Sequence, residues 1–143
     1  MLRKSEKELI TLLRNNSRET LSELSKKLAT PISTLHDRIK ALKQKNVRLI
    51  TLANWRELHM PIQAWIFIKT KKREETQKKL TNSTYVNTLF SIHNGADFAC
   101  ECIFPGFKEY HEYVEELEQQ GKVITHAVVE ELAKEKAEVL KNS

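Results

Sequence analysis

The short break between two helix-like segments near the N-terminus restricts the possible folds of this chain more than any other feature of its sequence. Leucine and isoleucine recur in both segments at the spacing of an amphipathic helix. Only about two or three residues separate the segments, which is the length of the turn in a helix-turn-helix unit. A further apolar stripe precedes them. The stripes consist of Leu9, Leu12 and Leu13, then Leu21, Leu24 and Leu28, then Leu35, Ile39 and Leu42.

Start signals support three separate helices. Residues 5–8 and 20–23 both fit the capping box, in which a hydroxyl and a carboxylate satisfy each other's backbone amides. The third helix has Thr30 as its predicted N-cap and Pro31 at its first position, where a missing amide hydrogen costs nothing. Asn46 follows as a residue that tolerates the left-handed conformation of a helix C-terminus.

The two halves of the chain carry net charges of opposite sign. Residues 1–60 contain 13 Lys and Arg against 6 Asp and Glu, a net charge of +7. Residues 61–143 contain 11 against 13, a net charge of −2. A basic first half joined to a mildly acidic second half indicates that the first half meets a polyanion.

The helical region ends in a stretch that fits a winged helix-turn-helix domain. Residues 47–53, VRLITLA, alternate imperfectly and predict a short strand or wing. Residues 54–61, NWRELHMP, are predicted to form a connector that ends at Pro61. We therefore predict a DNA-binding domain over residues 1–53, a linker over residues 54–61 and a second domain over residues 62–143.

The second half follows a different pattern, with strands and helices in the order β-α-β-β-α-β. Asn94-Gly95 is a strong hairpin signal between the second and third strands. This order is the ferredoxin-like arrangement, so the predicted fold class is α+β. The segments in chain order are IQAWIFIKT, KKREETQKKL, YVNTLFSIH, DFACECIF, GFKEYHEYVEELEQQGK and VITHAVVEEL. Residues 133–143 fit either a last strand or a frayed helix.

Both faces of the first predicted strand are apolar. Ala64, Ile66 and Ile68 alternate with Trp65 and Phe67. Helices would cover one face of the sheet, so the other face needs a partner, for which a second copy of the same sheet is the simplest candidate. The predicted inward stripe of the domain's second helix consists of Phe107, Tyr110, Val114 and Leu117.

The polar face of the third helix is where we expect contact with a nucleic acid. Residues near the N-terminus of a recognition helix reach base edges in the major groove, and basic side chains neutralise phosphates. The alternative is a solvated face on an ordinary three-helix bundle. Opposite the core lie Ser33, Asp37, Lys40, Ala41 and Gln44, flanked by Thr34, His36 and Arg38, and the cations available for phosphate are Arg38, Lys40, Lys43, Lys45 and Arg48.

No set of residues indicates catalysis, a metal ion or a cofactor. The five histidines are scattered, and none pairs at the spacing of metal ligands. Cys100 and Cys102 are predicted to lie on one side of a strand as small buried hydrophobic residues. No apolar run approaches the ~18 residues of a membrane span, and the N-terminus lacks the apolar region of a secretory signal. We therefore expect a cytoplasmic protein that is not an enzyme.

Together these segments resemble the Lrp/AsnC family of prokaryotic transcription regulators. The family's N-terminal winged helix-turn-helix is similar to SEKELITLLRNNSRETLSELSKKLATPISTLHDRIKALKQKNVRLI. Its C-terminal ligand-sensing domain is similar to AWIFIKT, VNTLFSIHNGADFACECIF, YHEYVEEL and VITHAVVEEL. The resemblance implies dimers that bind double-stranded DNA and pack their sheets together, often in tetramers or octamers, with an amino acid or related metabolite as effector between dimers.

The resemblance also carries over functional residues. The residues it implies for DNA contact are Ser33, Thr34, His36, Asp37, Arg38 and Lys40. Those it implies for effector binding are Asn94, Gly95, Ala96, Asp97, Thr125 and His126.

Three features depart from the family pattern, and one of them is the connector, which has HMPI where the family usually has a glycine. Asp37 stands where the family usually has a basic residue, and an acidic side chain there can accept from cytosine N4 or hold Arg38 or Lys40 in place. The effector turn, NGADF, is shorter after Gly95 than is usual and lacks the aromatic residue before Asp97.

Two other classes of protein fit this architecture. One is an interaction or sensing module with an inert helix-turn-helix, which the charge of +7 on the first half disfavours. The other is an enzyme like the sirohaem decarboxylases, which would need arginine and histidine clusters to hold propionates. Arg73 is the single arginine of the second half, which argues against that chemistry.

Overall fold

Helices α1 (Lys4–Asn15), α2 (Leu21–Leu28) and α3 (Ile32–Gln44) form the N-terminal region of the protein. They belong to a computed structural model, which describes residues 3–45, 47–50 and 53–134. The chain divides into two compact units: Met1–Leu52 with the residues from Leu132 onward, and Ala53–Glu131. Among the described residues, no helix is both long and apolar enough to cross a membrane.

The three helix starts agree with the sequence prediction at α2 only. The backbone amide of Thr20 donates to the carboxylate of Glu23 at 2.8 Å, and the amide of Glu23 donates back to the Thr20 hydroxyl at 3.2 Å. The predicted box at residues 5–8 is wrong, because Arg3 is the N-cap of α1 and its amide donates to Glu6 at 2.8 Å. Pro31, which follows the predicted cap, is the N-cap of α3.

The core of the first unit lies where the leucine stripes predict it. On α1 the fully buried set includes Ile10, whereas Leu12 is only partly buried, so the stripe is rotated slightly from the predicted one. Leu24 is buried on α2, and Leu21 and Leu28 pack at its margin. The buried residues are Leu9, Ile10, Leu13, Leu24, Leu35 and Leu42.

The predicted wing strand is absent from residues 47–50, which have no regular secondary structure. Val47 packs against the helical core, whereas Leu49 and Ile50 are exposed. A strand needs a partner for its backbone groups, and in the described part of this unit there are helices but no second strand. Asn46, Thr51 and Leu52 lie outside the described residues, so the predictions made for them stay predictions.

The second unit is a four-stranded antiparallel sheet with the strand order β2-β3-β1-β4. It confirms the predicted βαββαβ arrangement. The elements are β1 (Ile62–Lys69), α4 (Arg73–Asn82), β2 (Val86–Ser91), β3 (Phe98–Phe104), α5 (Phe107–Glu118) and β4 (Lys122–Ala127). Strand β4 is shorter than predicted, and residues 128–134 have no regular secondary structure. Residues 135–143 lie outside the described residues.

Helices α4 and α5 cover one face of this sheet. Ala64, Ile66 and Ile68 of β1 are buried beneath α4 and α5, and Trp65 and Phe67 alternate with them as predicted. Cys100 and Cys102 are buried on the covered face with their sulfurs 3.7 Å apart, which confirms their role as small core residues. The α5 stripe is partly mispredicted: Phe107 is 59% exposed, and the buried residues of this helix are Tyr110, Tyr113 and Leu117.

Candidate nucleic-acid interface

The turn between α2 and α3 is held by its own hydrogen bonds. Ala29 adopts the left-handed conformation, with φ 46° and ψ 44°. The amide of Thr30 donates to the carbonyl of Ser25 at 3.2 Å, and the Ser25 hydroxyl donates to the carbonyl of Thr30 at 2.7 Å. The Thr30 hydroxyl donates to the carbonyl of Leu28 at 2.9 Å, so it stabilises the end of α2 instead of capping α3. These bonds fix the direction in which α3 leaves the turn.

Helix α3 has one buried and one exposed side. Leu35 and Leu42 anchor it in the core, and Ile39 packs beside them. Of the residues predicted to contact DNA, four are exposed, whereas Thr34 and Arg38 are half-buried at the edge of the helix face. The four exposed residues are Ser33, His36, Asp37 and Lys40. All six residues therefore lie on α3, four of them exposed and two at the edge of the helix face.

Charges on and beside α3 are partly paired within the protein. Asp37 Oδ1 lies 3.6 Å from His36 Nδ1, an ion pair only when the histidine is protonated. Among the described residues, Asp37 therefore lies within ion-pair distance of His36 and not of Arg38 or Lys40. The Lys45 ammonium lies 2.8 Å from Glu6. This hydrogen bond, with the bond from the Arg3 amide, lowers the pKa of Glu6. Lys45 is thus held on the protein, although the sequence placed it among the phosphate-binding cations.

A cavity of about 340 Å³ opens between the C-terminal end of α1 and residues 47–50. Its walls come from segments that are far apart in the chain, so sequence reasoning does not find it. The sequence feature that could have indicated this cavity is the apolar pair Leu49 and Ile50, which the structure leaves exposed in its lining. Apolar side chains outside a core often line a groove. Its lining includes the apolar residues Ile10, Leu13 and Val47 and the basic residues Arg14, Arg18 and Arg48.

The predicted effector turn follows β2 and is shaped by two residues in the left-handed region. Asn94 has φ 61° and Gly95 has φ 103°, as the hairpin signal predicts. The carboxylate of Asp97 is occupied within the protein. One oxygen accepts from the Thr70 amide at 2.8 Å, and the other accepts from the Arg73 guanidinium at 2.9 Å. Asp97 therefore ties the turn to the end of β1 and the start of α4.

Thr125 and His126 do not join that turn. Strand β1 separates β4 from β3, and the two adjacent residues point to opposite faces of the sheet. The Thr125 hydroxyl lies 2.9 Å from the Tyr110 hydroxyl on the helix-covered face. The His126 ring packs edge-on against Phe67 on the other face, with ring centres 6.0 Å apart. In the described residues, no three His, Cys, Asp or Glu side chains are grouped so that they could hold a metal ion.

Comparison with known sequences supports the assignment of the N-terminal unit. Residues 2–47 match a family described as winged helix-turn-helix DNA-binding. An uncharacterised HTH-type transcriptional regulator of Pyrococcus horikoshii is 35% identical over 71 residues, which cover 48% of this chain and 47% of the relative. A similar regulator of Pyrococcus furiosus is 32% identical over 71 residues, with the same coverage. The chain thus matches about half the length of these curated relatives.

Comparison with solved structures covers nearly the whole chain. The transcriptional regulator NMB0573 of Neisseria meningitidis, solved as an L-Met complex, has a TM-score of 0.85 at 19% identity, with 94% of each chain covered. LrpC of B. subtilis has a TM-score of 0.85 at 14% identity, covering 93% of this chain and 98% of LrpC. An AsnC family transcriptional regulator from Agrobacterium tumefaciens has a TM-score of 0.81 at 12% identity, covering 93% of this chain and 94% of that one.

The structure and the matched family together indicate a class of protein: a helical N-terminal unit similar to winged helix-turn-helix DNA-binding domains, followed by a ferredoxin-like domain. The prediction of an α+β protein with these two parts is confirmed. Within that class, the chain has the fold of the Lrp/AsnC transcription regulators, and the resemblance predicted from the sequence is confirmed along nearly its whole length.

Proposed function

We propose that this chain is a sequence-specific DNA-binding transcription regulator. The observation that carries the proposal is the rigid turn that leads into α3, with Ser33, His36, Asp37 and Lys40 exposed on one helix face. The winged helix-turn-helix match and the HTH-type relatives support it. In this function α3 enters the major groove, and basic residues beside it neutralise phosphates. Such a regulator acts in the cytoplasm of a prokaryotic cell and is not an enzyme.

Selection of bound duplexes from a random pool tests this proposal. The full chain is mixed with the pool at about 100 mM salt, where non-specific binding is already weakened. We expect enrichment of a pseudo-palindrome whose half-sites lie about one helical turn, or a multiple of it, apart. A folded protein that enriches no sequence would overturn the proposal and favour the interaction module with an inert helix-turn-helix.

We further propose that the protein works as a homo-oligomer, at least a dimer, through the open face of its sheet. The open face is the side that α4 and α5 leave uncovered. Register places its large apolar residues in neighbouring rows, and Phe90 and Ile124 are 51% and 47% exposed. A second copy would bury this surface. The apolar residues of the open face that remain at least partly exposed are Trp65, Phe67, Phe90 and Ile124.

Light scattering on a variant of the open face tests this assembly. Trp65→Lys places a charge in the middle of the apolar surface, so we expect a fall in molar mass to a smaller species. Lys108→Ala, which removes an exposed cation from α5, is the control and should keep the wild-type mass. A wild-type mass for Trp65→Lys would overturn assembly through the sheet.

An amino acid or related metabolite is the proposed effector, bound at the turn formed by residues 94–97. Support comes from the L-Met complex of the Neisseria protein and from the left-handed turn at Asn94 and Gly95. A ligand ammonium group would compete with Arg73 for Asp97. Thermal unfolding with each free amino acid tests the proposal, since binding to the folded state raises its stability. No shift with any amino acid would remove the effector and leave the DNA-binding proposal in place.

A further inference from the structure

One row of the open face carries two ionisable side chains with a tryptophan between them. The register pairs Thr88 with Glu101, Glu101 with Trp65, and Trp65 with His126. Residues that are directly opposite in neighbouring strands share a face of the sheet. Glu101 is the middle residue of β3, one of the two central strands, so it lies near the centre of the open face.

In the described part of the chain, the side chains that donate hydrogen bonds to the Glu101 carboxylate are all neutral. Glu101 is 9% exposed, and one of its carboxylate oxygens accepts a hydrogen bond from Gln63 Nε2 at 2.5 Å. The other oxygen accepts from Asn87 Nδ2 at 2.6 Å and from the Thr88 hydroxyl at 3.1 Å. None of the ion pairs recorded between described residues includes Glu101. A second sheet laid over this face would remove its remaining water, and an unpaired charge in that position opposes assembly unless the other sheet supplies a cation.

The other ionisable side chain in the same row is His126, which is a cation when its imidazole is protonated. Within one chain two strand spacings separate it from Glu101, roughly 9–10 Å, so the two side chains do not meet. The other charged residues that the four strands place on the open face are Lys69 and Lys122, which lie opposite each other in the register at the end of β1. They lie roughly 13 Å along the strands from the Glu101 row, out of reach of its carboxylate.

We propose that Glu101 of one copy pairs with His126 of a second copy across stacked sheets. We place a two-fold axis midway between the two stacked sheets and parallel to β1. Rotation about this axis lays β3 of one copy over β4 of the other, because these strands lie on either side of β1. It therefore sets each Glu101 over the other copy's His126, and the pair forms twice, as an isologous interface requires. This inference rests on the proposed assembly through the open face. It makes the two residues determinants of which partner the sheet accepts and in which register.

A set of variants at both positions tests the pairing. The dimer dissociation constant is measured by sedimentation equilibrium for Glu101→Gln, His126→Gln, the double variant and His126→Lys. Either neutral single variant should weaken the dimer at least about tenfold, the scale of a close interfacial charge pair. The double variant should be no weaker than the weaker single variant, because both remove the same interaction. His126→Lys places a permanent cation at the same position and should retain most of the affinity.

Controls separate this pairing from general effects of charge and from failure of the assembly itself. His93→Gln and Glu74→Gln remove matched groups from exposed positions outside the strands and should leave the dissociation constant unchanged. Additive effects of the two single variants, or equal weakening by His126→Lys and His126→Gln, would overturn the pairing. If Trp65→Lys leaves the mass unchanged, the sheet assembly fails as well. If Glu101→Gln does not fold, the His126 variants decide the question alone.

Discussion

Replacing Ala29 by glycine should stabilise the N-terminal unit. Ala29 ends α2 with φ 46° and ψ 44°, a left-handed conformation that costs a residue with a Cβ about 1–2 kcal/mol. Glycine avoids that cost. However, glycine gives the unfolded chain more conformational entropy, which lowers the free energy of unfolding by about 0.4–1 kcal/mol. The net expectation for Ala29→Gly is a gain of about 0.5–1 kcal/mol in the free energy of unfolding.

Urea unfolding followed by far-ultraviolet circular dichroism measures this gain. For a small domain with a urea dependence of about 1 kcal/mol per molar, the midpoint should rise by about 0.5–1 M. Trp55 and Trp65 both belong to the second unit, so tryptophan fluorescence follows that unit separately.

The matched control makes the same chemical change inside a helix. Ala41 lies within α3, where glycine is less favourable than alanine by about 1 kcal/mol. Ala41→Gly should therefore lower the midpoint that Ala29→Gly raises. If Ala29→Gly also lowers it, the left-handed turn is not a source of strain and the reasoning fails.

Three further variants test the site and its support. Arg38→Ala should weaken specific DNA binding by about 1–3 kcal/mol if its guanidinium reads a base, measured by titration of the selected duplex. Gly121→Ala should destabilise the second unit by about 1–3 kcal/mol in urea unfolding, because its new Cβ would lie 2.2 Å from the Lys69 carbonyl oxygen. At neutral pH, Glu6→Gln should have a lower free energy of unfolding than the wild type. Because the pKa of Glu6 is lowered in the folded state, its ionised carboxylate stabilises the protein at pH values above 4.5, its usual pKa. This contribution is lost as the pH falls through the lowered pKa. The free energies of unfolding of Glu6→Gln and the wild type should therefore become equal in acid.

Each of these variants has a result that would count against it. Arg38→Ala should keep the wild-type oligomer size, and a smaller assembly would mean that Arg38 is structural. Unchanged stability in Gly121→Ala would mean that the chain at the end of β1 moves aside without cost. A constant gap between Glu6→Gln and the wild type at all pH values would show that packing, and not the Lys45 ion pair, is responsible.

The arrangement of helices and strands was predictable because apolar spacing determines it. The stripe at Leu35, Ile39 and Leu42 specifies the core side of α3, and the alternation of Ala64, Ile66 and Ile68 with Trp65 and Phe67 specifies the two faces of β1. The structure buries the first of those β1 faces beneath helices, as expected. The helix starts were less predictable. At α1, Glu6 reaches back to the Arg3 amide, and the sequence offers Ser5 as an equally plausible cap.

The parts of the site that escaped prediction depend on contacts between distant segments. Glu101 reads in sequence as a charge within an apolar strand, and its three donors become visible only when β1 and β2 are aligned beside β3. The same holds for Lys45, whose partner Glu6 lies on another helix. For His126 the sequence suggested the effector site, and the pleat of β4 turns it to the other face from Thr125.

The hydrogen-bonded carboxylate at the centre of β3 has a consequence for mixtures of related proteins. A cell that makes several chains with this fold contains many sheets of similar shape and apolar character. A chain with a hydrophobic residue opposite Glu101 would leave that charge without water and without a cation, so mixed pairs would be disfavoured. We expect this protein, co-expressed with a chain of the same fold that lacks His126, to be recovered with copies of itself. A single buried charge would then keep the regulatory circuits of such chains separate.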